Sequence, residues 1–394
     1  ALGQAEYPVD SFRGAGEDLA RQARWWKRED IAKAAVDTTP GAFAGEVALV
    51  TGAAPGSIAT ALVERLLEGG ATVIMTASRV SQARKEFART LYAEHGAAGS
   101  ALWLVPANLS SFRDIDALID WIGSEQRESV GNEVKILKPA LTPTLAFPFA
   151  APSVSGSLAD ASGTTEAQAR LLLWSVERTI AGLARLSQED VDKRCHVVLP
   201  GSPNRGTFGG DGAYGEVKAA LDAILNKWKV EAGWPQGVTL AQVKIGWVAG
   251  THLMGGNDGL VPAAEKAGIK VWSPEEISAE LMDLASADSR EQAAHAPVEK
   301  DLTGGLEGFS LKELAADVEP AGTTGAAAHE ENDAPATITA LPNQVQAVQP
   351  GLEEEVGQVT TDLEDMVVIA GIGEVSSWGS GRTPVSYTHL TLPT

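Results

Sequence analysis

The stretch "VALVTGAAPGSIATALVERLLEGG", from Val47 to Gly70, decides the fold. Val47 to Gly52 reads as a buried strand, and Ser57 to Glu68 carries apolar residues at helical spacing. Between them stand Gly52, Gly56 and Ser57, small residues that let a backbone turn sharply and approach a ligand closely. N–H groups at the start of a helix hold negative charge, so this strand, turn and helix read as a cradle for a pyrophosphate. The spacing is Gly52-x-x-x-Gly56, with Ile58 where a third glycine of the usual pattern would stand. Taken alone, the loop also reads as an ordinary tight turn.

Working outward, the alternation of strand and helix continues. "ATVIMTA" (Ala71 to Ala77) reads as a second strand, followed by a helix from Ser81 to His95. "ALWLVPANL" (Ala101 to Leu109) is a third strand, and "TPTLAFPFAA" (Thr142 to Ala151) a fourth despite its prolines. A long helix from Thr165 to Leu186 leads into "HVVLPGS" (His196 to Ser202), the fifth strand. A helix after Gly212 precedes "VTLAQVKIGWV" (Val238 to Val248), the sixth. Strands alternating with crossover helices predict an α/β fold, a Rossmann-like doubly wound parallel sheet with helices on both faces. In "SPEEISAELMDLAS", Ser273 as N-cap, Pro274 at the first position and Glu276 three residues on predict a helix to Ser286.

The flanks differ. Residues 1–44 read as a lead-in with a helix from Glu17 to Val36, in which Trp25 and Trp26 are expected to pack on a neighbour. Residues 45–315 form the expected dinucleotide-binding domain. Residues 316–364, rich in Ala, Gly, Thr, Pro and acids, bury too little apolar surface to offset chain entropy and read as a flexible acidic linker. Apolar content returns over 365–383, whereas "PVSYTHLTLPT" (384–394) does not continue that pattern and reads as a cloning or sequencing artefact. The chain opens on Ala1 without a signal-peptide pattern, which suggests a piece of something longer.

Composition narrows the function classes. A net charge of −21 opposes nucleic acid as a partner. From Asp301 to Asp365 there are fourteen acids against one lysine, so much of that charge is local. No apolar stretch approaches the roughly 20 residues of a membrane span. Cys195 is the single cysteine; it fits a reducing, cytoplasmic setting and reads as a buried core thiol. The six histidines are scattered, so no metal site is expected.

Two further positions speak to chemistry. A site for NAD generally shows an acid at the end of the second strand, binding the ribose 2′-OH. Here "TASRVSQARKEF" puts Ser78 and Arg79 at that turn, and a guanidinium pairs with a 2′-phosphate, which favours NADPH. Ser202 ends the fifth strand, with Tyr214 and Lys218 twelve and sixteen residues later. A tyrosine can protonate a reduced ketone oxygen. A lysine one helical turn on shares its face and favours the phenolate, and a serine can orient the carbonyl.

This constellation resembles the short-chain dehydrogenase/reductase family across roughly Phe43 to Leu260. The matching positions are Thr51-Gly52-x-x-x-Gly56 with Ser57 and Ile58, Ser78-Arg79, Asn108-Leu109, Ser202 and Tyr214-x-x-x-Lys218, and Thr251 fits the usual contact near the nicotinamide. The family's active-site Asn is missing: no Asn occurs between Thr165 and Asp190, and the Ser-to-Tyr spacing is one residue short. "TGAAPGSIA", "LWLVPANLSS", "LAFPFAAP", "LLLWSVERTIAGL" and "KIGWVAGTHLMGGND" are similar to the β-ketoacyl reductase region of bacterial type I fatty acid synthase. "DMVVIAGIGEVSSWGSGRT" (365–383) resembles the start of the ketosynthase that follows it. The resemblance implies reduction of a β-ketoacyl chain carried on acyl carrier protein, with other synthase domains as partners and a homo-oligomeric parent. Two alternatives stand. One is an enoyl reductase, although that branch usually places six residues between Tyr and Lys. The other is a degenerate structural segment, suggested by the missing Asn.

Overall fold

The computed structural model describes residues 17–36, 39–97, 99–130, 133–152, 154–188, 193–251 and 259–307. The linker, the ketosynthase-like start and the tail expected over 316–394 lie outside these. In chain order the elements begin with α1 (Glu17–Trp25), α2 (Glu29–Val36), β1 (Val47–Thr51), α3 (Ile58–Glu68), β2 (Thr72–Ala77) and α4 (Gln82–His95). Next come β3 (Ala101–Pro106), α5 (Phe112–Gly123), β4 (Gln126–Val130), β5 (Glu133–Lys138) and β6 (Leu145–Pro148). Then follow α6 (Gly163–Ala169), α7 (Ser175–Gln188), β7 (Cys195–Gly201), α8 (Tyr214–Val230), α9 (Trp234–Gly237) and β8 (Val238–Ile245). Last are α10 (Val261–Lys266), α11 (Pro274–Leu284), α12 (Ala287–Ala293) and β9 (Val298–Leu302).

Seven strands form one sheet in the order β3-β2-β1-β6-β7-β8-β9, with every neighbouring pair parallel. The fold is therefore the Rossmann-like α/β sheet the pattern predicts. Alternate residues of each strand serve opposite faces. Ala48 and Val50 of β1 pack with Leu62 and Leu66 of α3, Leu91 of α4 and Leu281 of α11. Leu49, between them, faces the other core with Ile119 of α5, Ile180 of α7 and Leu221 of α8. Burial on both faces explains why these strands read as continuous apolar runs. Cys195 is buried and free, and burial pushes its thiol well above the ordinary range.

The crossover helices start alike. Ser57, Ser81 and Ser111 each accept a hydrogen bond from the N–H three residues on, at 3.1, 3.2 and 3.3 Å. Each satisfies one of the donors that a helix start leaves without an intrahelical partner. The capping box of α11 forms as predicted: Glu276 N–H donates to Ser273 Oγ at 3.2 Å and Ser273 N–H to Glu276 Oε2 at 2.9 Å.

Elsewhere the structure departs from the pattern. The helix expected from Glu17 to Val36 breaks into two that pack through Ala20, Ala23, Ala32 and Ala35, turning where Lys27 adopts φ 58°. Small alanines bring the two helices together, which leaves Trp25 and Trp26 at 84% and 71% exposure rather than packed on a neighbour. The long helix before β7 is interrupted by a π turn, Arg170–Trp174. The β4–β5 hairpin and the edge strand β9 are additions that the sequence reading leaves unassigned. Lys138 ties the hairpin base to α5, its Nζ donating to the carbonyls of Ile122, Ser124 and Pro139 at 2.9, 2.8 and 2.6 Å. Among the described residues, no helix is long and apolar enough to cross a membrane.

Ser273→Ala should lower the free energy of unfolding by about 1 kcal/mol. The measurement is a urea titration, with a reduced midpoint at unchanged slope.

Candidate active site

The order of strands places a switch point between β1 and β6. From β1 the chain runs out to β3, then returns to build the other half from β6. Sheets of this kind bind ligands at the carboxyl edge by such a point. Because all seven strands are parallel, the segments after β1, β2, β3, β7 and β8 share that edge.

Gly52, at φ 81°, turns the chain out of β1, and a Cβ there would stand 2.6 Å from the Phe149 carbonyl oxygen. Only glycine fits against the end of β6. Thr51 Oγ1 accepts from Ala150 N–H at 3.0 Å, so its hydroxyl locks β1 to the segment after β6. Ser57 Oγ accepts from Ala54 N–H at 3.1 Å and donates to Gly52 O at 3.2 Å, holding the loop closed on the start of α3. Gly56 adopts φ 73°, and among the described residues a Cβ there would meet only the Gly250 carbonyl, at 3.7 Å. Ile58 opens α3, so its N–H belongs to the unpaired first turn. Loop 52–58 can therefore hold a pyrophosphate on backbone donors.

Ser78 and Arg79 are exposed after β2, with no carboxylate at that turn. Arg84, from the first turn of α4, donates from Nη1 to Ala53 O in the loop at 2.9 Å. This second arginine was not picked out in the sequence, because nothing local distinguishes it from a solvated helix residue. After β3, Asn108 Oδ1 accepts from Ser110 N–H at 3.0 Å, and Leu109 packs on the core. After β8, Thr251 is buried and donates its hydroxyl to Val248 O at 3.1 Å.

Ser202, Tyr214 and Lys218 come together at the same edge. Ser202 is buried at the end of β7 and hydrogen-bonds the Tyr214 hydroxyl. Tyr214 is the first residue of α8, and Lys218 lies one turn on with its Nζ 5.5 Å from the Tyr214 ring centroid. Lys218 is buried and donates to Pro200 O at 2.6 Å. Burial dominates both shifts. It pushes the Tyr214 phenol up to about 12, aided by the charge of Asp211 and opposed by the Ser202 hydrogen bond. It pulls the Lys218 ammonium down to about 7. The shift at Tyr214 is thus opposite to the phenolate stabilisation expected of a neighbouring ammonium, because burial raises the phenol and Lys218 is not among the groups that shift it.

Three further residues surround Tyr214. Gln168, fully buried on α6, accepts from Ala213 N–H at 2.7 Å. Asp211 Oδ2 accepts from Gly215 N–H at 2.9 Å and from Asn204 Nδ2 at 2.8 Å. In the sequence Asn204 and Asp211 look like ordinary turn formers among glycines.

No family model matches the chain. Over 373 residues, 86% of its length, it is 33% identical to the fatty acid synthase subunit alpha of Saccharomyces cerevisiae and 34% identical to that of Schizosaccharomyces pombe. The chain resembles one stretch of the fungal fatty acid synthase alpha subunit. It spans about a fifth of these relatives, 19% and 20% of their lengths. The motifs point to the bacterial multienzyme, whereas these relatives are fungal. A solved short chain dehydrogenase/reductase family protein superposes with a TM-score of 0.51 at 19% identity, covering 68% of this chain and all of that one. The described domain therefore has a short-chain-dehydrogenase-like fold in a chain similar to part of a fatty acid synthase.

Between the folded value of Lys218, about 7, and its ordinary 10.5, the unfolded chain binds more protons than the folded one. Stability from this group therefore rises with pH across that window. Lys218→Met removes the group. The variant should be more stable than wild type at neutral pH, and the gap in urea midpoint should narrow as pH is raised towards 10.

Proposed function

We propose that the chain is an NADPH-dependent reductase converting 3-oxoacyl-[acyl-carrier-protein] to 3-hydroxyacyl-[acyl-carrier-protein] within a multifunctional fatty acid synthase. The observation that carries this reading is the meeting of Ser202, Tyr214 and Lys218 at the sheet edge beside loop 52–58. Bound NADPH supplies the hydride to the carbonyl carbon. Ser202 orients the ketone oxygen, and the Tyr214 phenol gives its proton to that oxygen as the carbonyl electron pair moves onto it. A phenol held near 12 stays protonated at neutral pH, which suits a proton donor. Lys218, poised near 7, gains its proton readily when an anionic ligand arrives, and the ammonium then favours the phenolate left behind.

Loop 52–58 and Lys218 would hold the dinucleotide, with Arg79 and its neighbour Ser78 receiving the 2′-phosphate, Asn108 and Leu109 bordering the adenine and Thr251 the nicotinamide. The two positive-φ glycines fit such a ligand, since a side chain at either position would crowd or strain the cradle. Similarity to synthase subunits supports acyl carrier protein and other synthase domains as partners, with residues 45–315 as the reductase domain. We likewise assign 316–364 as linker, 365–383 as the start of a ketosynthase, a homo-oligomeric parent, and a cytoplasmic setting. Three residues between Tyr214 and Lys218 set them on one helical face, which supports the keto over the enoyl reductase.

Tyr214→Phe should lower kcat for a β-ketoacyl thioester by at least about 10²-fold while leaving NADPH binding within about twofold. Retained turnover would remove Tyr214 from the donor role, and a folded, NADPH-binding wild type without turnover would overturn the reading. Arg79→Ala should weaken NADPH about 10-fold or more and NADH little, read by fluorescence titration of both.

A further inference from the structure

We propose that Asn204 is a positioning residue that sets the distance between Ser202 and Tyr214 through a clamp on Asp211. The inference rests on the reductase reading and adds a residue to it. Ser202 and Tyr214 belong to different elements, the end of β7 and the start of α8, joined by a loop of eleven residues, 203–213. Four of these, Gly206, Gly209, Gly210 and Gly212, adopt positive φ and bring no side chain to hold the loop in place. The register between hydroxyl and phenol must come from elsewhere.

Asn204 supplies it from both its backbone and its side chain. Its N–H donates to Ser202 Oγ at 3.1 Å. Its Nδ2 donates to Asp211 Oδ2 at 2.8 Å, and its Oδ1 accepts from Gly206 N–H at 3.0 Å. The same Asp211 oxygen accepts from Gly215 N–H at 2.9 Å, and the Asp211 carbonyl accepts from Tyr214 N–H at 3.1 Å. Both side chains are buried, at 4% and 9% exposure, so water does not compete for these bonds. Gly215 lets the loop lie flush on the helix, since a Cβ there would stand 2.5 Å from Gly206 N. One residue, through its backbone N–H and its side-chain amide, thus couples Ser202 to the first turn that carries Tyr214.

The test uses the full chain. Asn204→Ala should lower kcat by about 10- to 100-fold, the cost of a small misplacement of a reacting group, with the KM for NADPH within about twofold of wild type. Asp211→Asn keeps one oxygen that can accept from both Gly215 N–H and Asn204 Nδ2, so its kcat should stay within about threefold of wild type, whereas Asp211→Leu, which has no acceptor, should lose as much as Asn204→Ala. Wild-type kcat in a folded Asn204→Ala chain, or a loss in a folded Asp211→Asn chain as large as in Asp211→Leu, would overturn the clamp. If wild type binds NADPH but turns nothing over, the reductase reading fails instead. Hydrogen exchange at the Gly215 amide then decides the clamp: a faster rate in Asn204→Ala with a near-wild-type rate in Asp211→Asn supports it, and equal rates in Asn204→Ala and wild type overturn it.

Discussion

The candidate site depends on β1 being paired on both edges, with β2 on one side and β6 on the other. That double pairing sets the loop after β1 at the switch point of the sheet, against the segment after β6. Its tightest point is Gly52, pressed against the Phe149 carbonyl, with the Thr51 hydroxyl holding Ala150. The threonine that the motif offers as a ligand contact spends its hydroxyl on this junction. The loop proposed to hold a phosphate is thereby fixed to the sheet, with Ser57 closing it from the helix side.

On the other side of the switch point the chemistry is governed by desolvation. Burial shifts both Tyr214 and Lys218 towards their neutral forms, the phenol near 12 and the amine near 7. A simple count of charges would have the ammonium lower the phenol. The structure instead turns Lys218 to the Pro200 carbonyl and leaves the Tyr214 hydroxyl with Ser202. Such a pair holds its proton at rest and responds strongly to an added charge, because a dry site screens little.

Much of the fold was legible because burial on both faces leaves a strong mark on a parallel strand. β1, β2, β7 and β8 are near-continuous apolar runs, and each lies where such a run predicts, to within a few residues at its ends. The serine cap of α11 was equally plain, since Ser273 and Glu276 stand three apart in the chain. The hairpin β4–β5 was not, because β4, "QRESV", is almost wholly polar and the two strands pair only with each other. Edge strand β9, "VEKDL", has a burial pattern that leaves most of its side chains at the surface, so it carries no apolar run. The two tryptophans misled for a related reason. Their bulk suggested a buried stripe, but small alanines on the opposite side of α1 and α2 pack more closely.

For the site, the sequence determined the placements that follow from local spacing: Gly52 and Gly56 in a turn, Arg79 after a strand, Tyr214 and Lys218 one helical turn apart. It also placed Ser202 at a strand end. Tertiary structure alone decided what surrounds them. Asn204, Asp211 and Gln168 approach Tyr214 from a glycine-rich loop and from α6, and each meets a backbone N–H that no pattern in the chain announces. The shifts of Tyr214 and Lys218 were likewise settled only by folding. The sign of a proton's preference depends on how much water remains around the group, and that quantity belongs to the packed molecule.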